Sequence, residues 1–114
     1  MKIIVCGGRD YSDADRVDNI LDKVHAKHTI TLLIDGQARG ADSLGHGWAR
    51  SRGIPTKRFP ADWDKHGKSA GYRRNEEMAA FGADAVVAFP GGRGTAHMLE
   101  TAKRRGITVW EIED

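Results

Sequence analysis

Cysteine, proline and long hydrophobic runs are scarce in this sequence of 114 residues. The lone cysteine, Cys6, excludes an intramolecular disulfide, which fits a reducing compartment. No apolar run approaches the roughly 20 residues that a membrane-spanning helix needs. The apolar stretch at positions 3–6 is also too short for the hydrophobic region of a signal peptide. We therefore expect a cytoplasmic protein that does not associate with membranes.

A strong net charge and metal-binding patterns are also lacking. The formal net charge is +2 at pH 7, which does not support a general nucleic-acid binder. This low net charge still allows local clusters of basic residues. His25, His28, His46 and His97 show no metal-ligand spacing with a carboxylate or cysteine, and we expect them at the surface. We predict neither a metal site nor a resident cofactor.

Enough apolar residues are present for one core. Hydrophobic residues make up 39% of the chain and charged residues 30%, so residues 1–114 are predicted to form one domain. Apolar runs predict strands at 2–6, 30–34, 54–59, 84–89 and 107–112. Helical patterns lie between them, from a cap at Ser12 or Asp13 to 27, between 40 and 53, and at 71–81 and 95–105. Pro55 suggests that the third strand lies at an edge.

This alternation predicts an α/β fold, a single Rossmann-like three-layer α/β/α domain with a mostly parallel five-stranded sheet. In such sheets ligands bind beyond the carboxyl ends of the strands. Glycine-rich or polar segments follow four predicted strands, at 7–10, 35–42, 60–70 and 90–95. We expect these segments to form one shared site.

The segment after the fourth predicted strand is the most informative. A strand, a glycine turn and a helix start in that order are typical of a phosphate cradle, because glycine lets backbone N–H groups approach an anion and the helix N-terminus favours negative charge. The alternative is a sharp structural turn with Thr95 as the helix cap. The predicted cradle comprises Pro90, Gly91, Gly92, Arg93, Gly94 and Thr95.

The two earlier glycine segments supply further candidates. After Gly7 and Gly8, Arg9 offers bidentate donors to a phosphate or carboxylate. Asp10 could hold Arg9 in a structural turn, bind a ribose or act as a general base. In the second segment, Gly36 and Gly40 are interpreted as permitting close approach of a ligand, Asp42 either caps a helix or contacts the ligand, and Arg39 can add a phosphate contact.

The aromatic residues near positions 60–70 and four apolar residues of the predicted helices each have a structural and a functional interpretation. Trp63, His66 and Tyr72 flank the polar 60–70 segment, where an aromatic ring could stack on a base, although we favour Trp63 as a hydrophobic plug. Trp48, Met78, Met98 and Leu99 are expected in the core, with a dimer interface as the alternative.

Four motifs together resemble one known group. They are Gly-Gly-Arg-Asp at 7–10, Gly-Ala-Asp at 40–42, Arg74-Asn75 with Met78, and Pro-Gly-Gly-Arg-Gly-Thr at 90–95. This set resembles the SLOG superfamily, which unites the Lonely Guy proteins, the DNA-processing protein DprA and the small YspA-like proteins, also called the DUF2493 family. The YspA-like branch fits best, and the resemblance covers nearly the whole chain.

The resemblance implies a Rossmann-like sheet, a homodimer and a site for nucleotides or nucleotide-derived ligands. Lonely Guy enzymes cleave the N-glycosidic bond of nucleoside 5′-monophosphates, and Arg74 matches the arginine of their pattern. Met98 stands where that pattern has a glutamate. Asp10 or Asp42 would have to replace it in catalysis, and Asn75 could bind a base or sugar hydroxyl.

Three functions follow from these residues. The favoured one is a sensor or sequestering module that binds a nucleotide or an NAD-derived small molecule. The alternative is a phosphoribohydrolase, an N-glycosidase that uses Arg74, Asp10 and Asp42. A DprA-like role on single-stranded DNA is the least favoured, because the net charge is +2 and no aromatic platform is evident in the sequence.

Overall fold

The computed structural model of the protein describes residues 1–113, so Asp114, the last residue of the predicted domain, lies outside this range. Five strands alternate with helices along the chain. The strands are β1 (Lys2–Cys6), β2 (Leu32–Asp35), β3 (Thr56–Arg58), β4 (Ala85–Ala88) and β5 (Thr108–Glu111). The helices are α1 (Ala14–His28), α2 (Ala41–Ser51), α3 (Trp63–His66), α4 (Ala70–Phe81) and α5 (Arg93–Arg104), with a 3₁₀ turn at Gly67–Ser69.

The strands form one sheet in the order β3-β2-β1-β4-β5, and every pair is parallel. Ile4 at the centre pairs with Ile34 on one side and with Val86 on the other. Strand β3 lies at an edge of the sheet, as predicted from Pro55. The chain therefore runs outward from β1 in both directions, which makes the carboxyl ends of β1 and β4 a topological switch point.

Two apolar layers cover the sheet, because successive side chains of a strand point to opposite faces. On one face, Ile3 and Val5 of β1 pack in a cluster with α1 and α2, which contribute Val17, Leu21, Trp48 and Ala49. On the other face, Ile4 and Cys6 pack in a cluster with α4 and α5, which contribute Met78, Ala79, Met98 and Ala102. The predicted three-layer α/β/α architecture is confirmed.

Several element boundaries differ from the prediction. The expected loop at 60–70 contains α3, which Asp62 caps by accepting a hydrogen bond from the backbone N–H of Lys65 at 3.0 Å. The prediction of Thr95 as a helix cap is wrong. Helix α5 begins at Arg93 with Gly92 as its N-cap, so Thr95 lies inside the first turn.

Helix α1 begins as predicted, with the Asp13 carboxylate accepting from the backbone N–H of Arg16 at 3.1 Å. Strand β2 begins at Leu32, two residues later than predicted. Before it, the N–H of Ile30 donates to Nδ1 of His25 at 2.8 Å. Within residues 1–113, no helix combines the length and apolarity that crossing a bilayer requires.

Candidate functional site

A cleft of about 390 Å³ opens at the carboxyl ends of β1 and β4. Its walls are formed by the loops after β1, β2 and β4, by α3 and the 3₁₀ turn, and by α4 and α5. Nine of the predicted site residues line it: Gly7, Gly8, Arg9, Asp42, Arg74, Asn75, Gly92, Gly94 and Thr95. The other six are outside its lining: Asp10, Gly36, Gly40, Pro90, Gly91 and Arg93.

Backbone contacts at Gly8 hold the three loops together. The N–H of Gly8 donates to the carbonyl oxygen of Pro90 at 2.8 Å, and its own carbonyl oxygen accepts from the N–H of Ala41 at 3.2 Å. Gly40 has a φ of +78°, and a Cβ there would overlap the carbonyl oxygen of Gly8. A Cβ at Gly91 would lie 2.7 Å from the nitrogen of Gly8. Gly40 and Gly91 are therefore required by contacts between protein loops.

Gly36 likewise adjoins a protein group. A Cβ at Gly36 would lie 2.7 Å from Cζ of Arg74, and the carbonyl oxygen of Gly36 accepts a hydrogen bond from Nη1 of Arg74. The close approach that we predicted for a ligand at Gly36 and Gly40 is made by Arg74 and by the Gly8–Arg9 backbone instead. Glycine is therefore required at both positions by contacts within the protein.

Gly92 and Gly94 differ from these glycines. Neither has a positive φ, and a Cβ on either would meet no protein atom within 4 Å. Both line the cleft, beside Thr95 in the first turn of α5. Neither a positive φ nor contact with protein atoms requires glycine at these two positions, and both leave open space at a helix N-terminus.

Arg74 extends from α4 into the cleft. Its Nε donates to Oδ1 of Asn75 at 3.0 Å and its Nη1 donates to the carbonyl oxygen of Gly36, whereas Nη2 donates to no other residue within 1–113. Burial lowers the pKa of this guanidinium, and the nearby charge of Arg9 lowers it further, whereas Asp42 and Asp35 oppose the change. The guanidinium stays protonated at neutral pH.

Asn75 is buried between α4 and α5. Its amide nitrogen lies 3.2 Å from the carbonyl oxygen of Gly94 and 3.1 Å from Nδ1 of His97. With Arg74 bound to its Oδ1, the Asn75 amide is engaged on both sides by protein groups. Its evident structural effect is to orient Arg74 against the first turn of α5.

Asp42 lies in the first turn of α2, whose N-cap is Gly40. Its Oδ2 accepts hydrogen bonds from the backbone N–H groups of Gly36 at 2.9 Å and Ala38 at 3.3 Å, so Asp42 fastens the preceding loop and does not cap the helix. Burial raises the pKa of this carboxyl to about 6, and the charge of Asp35 adds to the rise, against the lowering effect of those hydrogen bonds and of Arg74.

Asp10 and Arg9 have separate partners. Asp10 forms an exposed ion pair with Arg39 at 3.2 Å, whereas the guanidinium of Arg9 lies 5.3 Å from the ring centroid of Trp63. Within residues 1–113, neither a hydrogen bond nor an ion pair joins Asp10 to Arg9, although we considered such a contact from the sequence. The prediction of Trp63 as a hydrophobic plug is wrong, because this residue is 48% exposed and lines the cleft.

Lys68 and His97 are two residues at the site that the sequence reasoning missed. Lys68, in the 3₁₀ turn, lines the cleft, and no motif marks it in the sequence. The ring of His97 stacks on Tyr72 with a centroid distance of 4.3 Å, and its side chain is only 21% exposed, so the surface placement that we predicted is wrong.

The surface prediction also fails for two of the other three histidines. His46 packs near the buried Asp35, 3.6 Å from its carboxylate, and His25 accepts a backbone hydrogen bond from Ile30. His28 is exposed, as expected. At the expected glutamate position, Met98 is buried and contributes an apolar wall to the cleft.

Comparison with known proteins agrees with these motifs and this fold. The chain is 37% identical over 121 residues to the Gene 61 protein of Mycobacterium phage D29, an alignment that covers 99% of this chain and 97% of that protein. Its fold matches the X-ray structure of DNA processing protein A (DprA) from Streptococcus pneumoniae with a TM-score of 0.80. That match has 19% sequence identity and covers 99% of this chain but 50% of the DprA chain, so it shows a shared fold.

The family comparison covers the first three strands and both glycine segments near the amino terminus. The family model of the YspA, cpYpsA-related SLOG family matches residues 1–66, which hold Gly7–Asp10 and Gly40–Asp42. Together with the phage relative, which aligns over nearly the whole length, this match establishes the family. The chain belongs to the YspA, cpYpsA-related SLOG family.

Proposed function

We propose that this protein binds a nucleotide or a nucleotide-derived small molecule, with a phosphate seated at the first turn of α5. The observation that carries the proposal is the pair Gly92 and Gly94, which line the cleft and whose absent side chains leave open space there. The N-terminus of α5 favours an anion through its free N–H groups and its partial positive charge. Thr95 adds a hydroxyl donor at the same turn.

The charges around the cleft support an anionic ligand. Arg9, Lys68 and Arg74 line it, whereas Asp42 is the one carboxylate among the lining residues that the structure describes. The Nη2 group of Arg74, for which no intramolecular hydrogen bond is recorded, can donate to a phosphate oxygen. Three cations against one carboxylate give the lining a positive charge, which favours phosphate over a neutral ligand.

Binding as a sensor or sequestering module requires no catalytic carboxylate. Met98 at the expected glutamate position supports this function over hydrolysis, because a buried thioether cannot stabilise an oxocarbenium-like transition state. The cytoplasmic location and the homodimer remain parts of the same proposal.

A thermal-shift panel tests the proposal. The ligands are nucleoside mono-, di- and triphosphates, NAD, ADP-ribose and cyclic ADP-ribose, and each sample is then analysed by chromatography for free base. A ligand at 100 times its dissociation constant adds about 2.7 kcal/mol to the free energy of unfolding, which gives a clear shift. A shift with intact ligand is expected. No shift with any of these compounds would contradict nucleotide binding.

One observation favours a second candidate, an N-glycosidase. Asp42 lines the cleft and has a pKa of about 6, in the range of a group that can exchange protons near neutral pH. Release of free base that Asp42→Asn abolishes while ligand binding persists would establish hydrolysis. If Asp42→Asn lost ligand binding, the role of Asp42 would instead be structural, to hold the loop that contains Gly36 and Ala38.

A further inference from the structure

Large exposed aromatic side chains are concentrated at the cleft. Among the described residues, the exposed large hydrophobic side chains are Trp63, Tyr72 and Phe81, at 48%, 46% and 44%. Trp63 and Tyr72 line the cleft, whereas Phe81 lies outside its lining and packs edge-on against Phe59 at 5.4 Å. Two of the three exposed rings therefore face the space in which the proposed phosphate site lies.

The ring of Tyr72 packs against His97. The ring of His97 stacks on it at 26° with a centroid distance of 4.3 Å, and Nδ1 of His97 lies 3.1 Å from the amide nitrogen of the buried Asn75. One face of the Tyr72 ring is thus covered and fixed, while nearly half of the residue stays exposed. A ring immobilised in this way loses little further conformational entropy when a flat group stacks on it.

Trp63 lies on a less tightly packed element. Helix α3 has four residues and none of them is buried, so little core packing holds this element. The guanidinium of Arg9 lies over the indole at 5.3 Å, within the range of a cation–π contact. Arg9 also lines the cleft, so this contact connects the aromatic ring to the cationic part of the site.

We propose that Trp63 and Tyr72 form the base subsite of the cleft and stack on the base of the bound nucleotide, so that the protein selects nucleotides over sugar phosphates that carry the same phosphate. This inference rests on the proposed function. Stacking uses the π-face that every base has, so the rings distinguish the presence of a base more than its identity. Purines, with the larger ring, bind more tightly than pyrimidines at such a site.

The test compares ligands that differ only in the base. Adenosine 5′-monophosphate, uridine 5′-monophosphate and ribose 5-phosphate are titrated by isothermal calorimetry into the full-length protein. Truncating a stacking ring weakens binding by roughly 5- to 100-fold. We therefore expect Trp63→Ala and Tyr72→Ala each to weaken binding of both nucleotides by such a factor and to change the affinity for ribose 5-phosphate much less.

Matched variants separate stacking from other effects. Phe81→Ala removes an aromatic side chain of similar exposure outside the cleft and should leave the affinities for all three ligands unchanged. Tyr72→Phe and Trp63→Phe keep a ring and should restore most of the nucleotide affinity. If Tyr72→Phe lost as much affinity as Tyr72→Ala, the hydroxyl group and not the ring would contribute to binding. That result would overturn stacking by Tyr72.

Failure of this inference is distinguishable from failure of the proposed function. Equal affinity of the wild-type protein for the nucleotides and ribose 5-phosphate would overturn the base subsite and leave phosphate binding intact. An equal loss of affinity for all three ligands in Trp63→Ala and Tyr72→Ala would also overturn it. No binding of any of the three, together with no shift in the wider nucleotide panel, would contradict both proposals.

Discussion

The side-chain amide nitrogen of Asn75 on α4 lies 3.2 Å from the carbonyl oxygen of Gly94 in the first turn of α5. The same amide accepts a hydrogen bond from Nε of Arg74 at 3.0 Å. One buried side chain thereby sets the position of the cleft's guanidinium relative to the glycine turn. The candidate site is thus held together across two helices whose residues lie far apart in the sequence.

Asn75→Ala should lower the free energy of unfolding by about 1–3 kcal/mol, because buried polar groups around it lose their partner. It should also weaken nucleotide binding, since Arg74 loses its support. Urea unfolding and calorimetric titration measure the two effects. Asn19→Ala, on the exposed side of α1, is the control and should stay within about 0.5 kcal/mol of the wild type. An Asn75→Ala protein with wild-type affinity would show that Arg74 needs no such support.

Gly94→Ala should separate stability from binding. A Cβ at this helical position meets no protein atom, so the free energy of unfolding should not fall and could rise by up to about 1 kcal/mol. Binding of nucleotides should weaken strongly, because the methyl group occupies space at the proposed phosphate position. Gly47→Ala, at another helical glycine without neighbours, should give a similar stability and unchanged binding. Full affinity in Gly94→Ala would argue against a phosphate at this turn.

Arg74→Lys should weaken phosphate binding by about 1.5–3 kcal/mol, although it keeps the charge, because lysine cannot bind Gly36, Asn75 and a phosphate oxygen at once. Arg73→Lys, at the exposed neighbouring position, is the matched control and should bind like the wild type. Affinity is measured by calorimetry, with circular dichroism to verify folding. Equal affinities of the two variants would remove Arg74 from the phosphate site.

Asp42→Asn should change how stability depends on pH. The pKa of Asp42 is raised from 3.8 to about 6, so its ionised form carries a penalty of about 3 kcal/mol in the folded state. Protonated Asp42 therefore stabilises the folded state relative to ionised Asp42. This stabilisation is fully present below about pH 4 and is lost as the pH rises through about 6. In Asp42→Asn, the side-chain oxygen can still accept from the N–H groups of Gly36 and Ala38. Because asparagine does not ionise, the stability of this variant should not fall over that pH range.

Urea unfolding of the wild type and Asp42→Asn between pH 4 and 8 measures this difference. The free energy of unfolding of the wild type should fall relative to that of the variant between about pH 4 and 6. Asp10→Asn, at an exposed carboxylate, controls for the change in net charge. Parallel curves for the wild type and Asp42→Asn would show that burial of Asp42 carries no such penalty.

Local patterns predicted most of the fold. Short apolar runs such as 2–6 and 84–89 and the amphipathic segments between them determine the order of strands and helices, and that order implies a parallel sheet with covered faces. Pro55 identified the edge strand. Boundaries were less accurate where helical geometry extends into a glycine turn, as at Arg93, or where a polar segment is helical, as at α3.

The candidate site was predicted only as a set of segments. Glycines and arginines at the ends of strands indicate where a ligand can bind, and nine of the fifteen predicted site residues do line one cleft. The sequence did not distinguish Gly36 and Gly40, which accommodate Arg74 and the Gly8–Arg9 backbone, from Gly92 and Gly94, which leave open space. That distinction depends on which loops meet, and the loops meet according to strand order.

The sequence by itself therefore determined the five strands, the four longer helices between them and the approximate position of the glycine turn, because these features are encoded in neighbouring residues. The order of these elements implied the parallel sheet, and four motifs together indicated the family. Only the tertiary structure decided the partners: Asp10 with Arg39, Tyr72 with His97, and Asn75 with Gly94. These contacts join residues about 20 to 30 positions apart in the chain, and no local pattern specifies them. They arise when the packing of helices on the sheet brings separate loops to one edge.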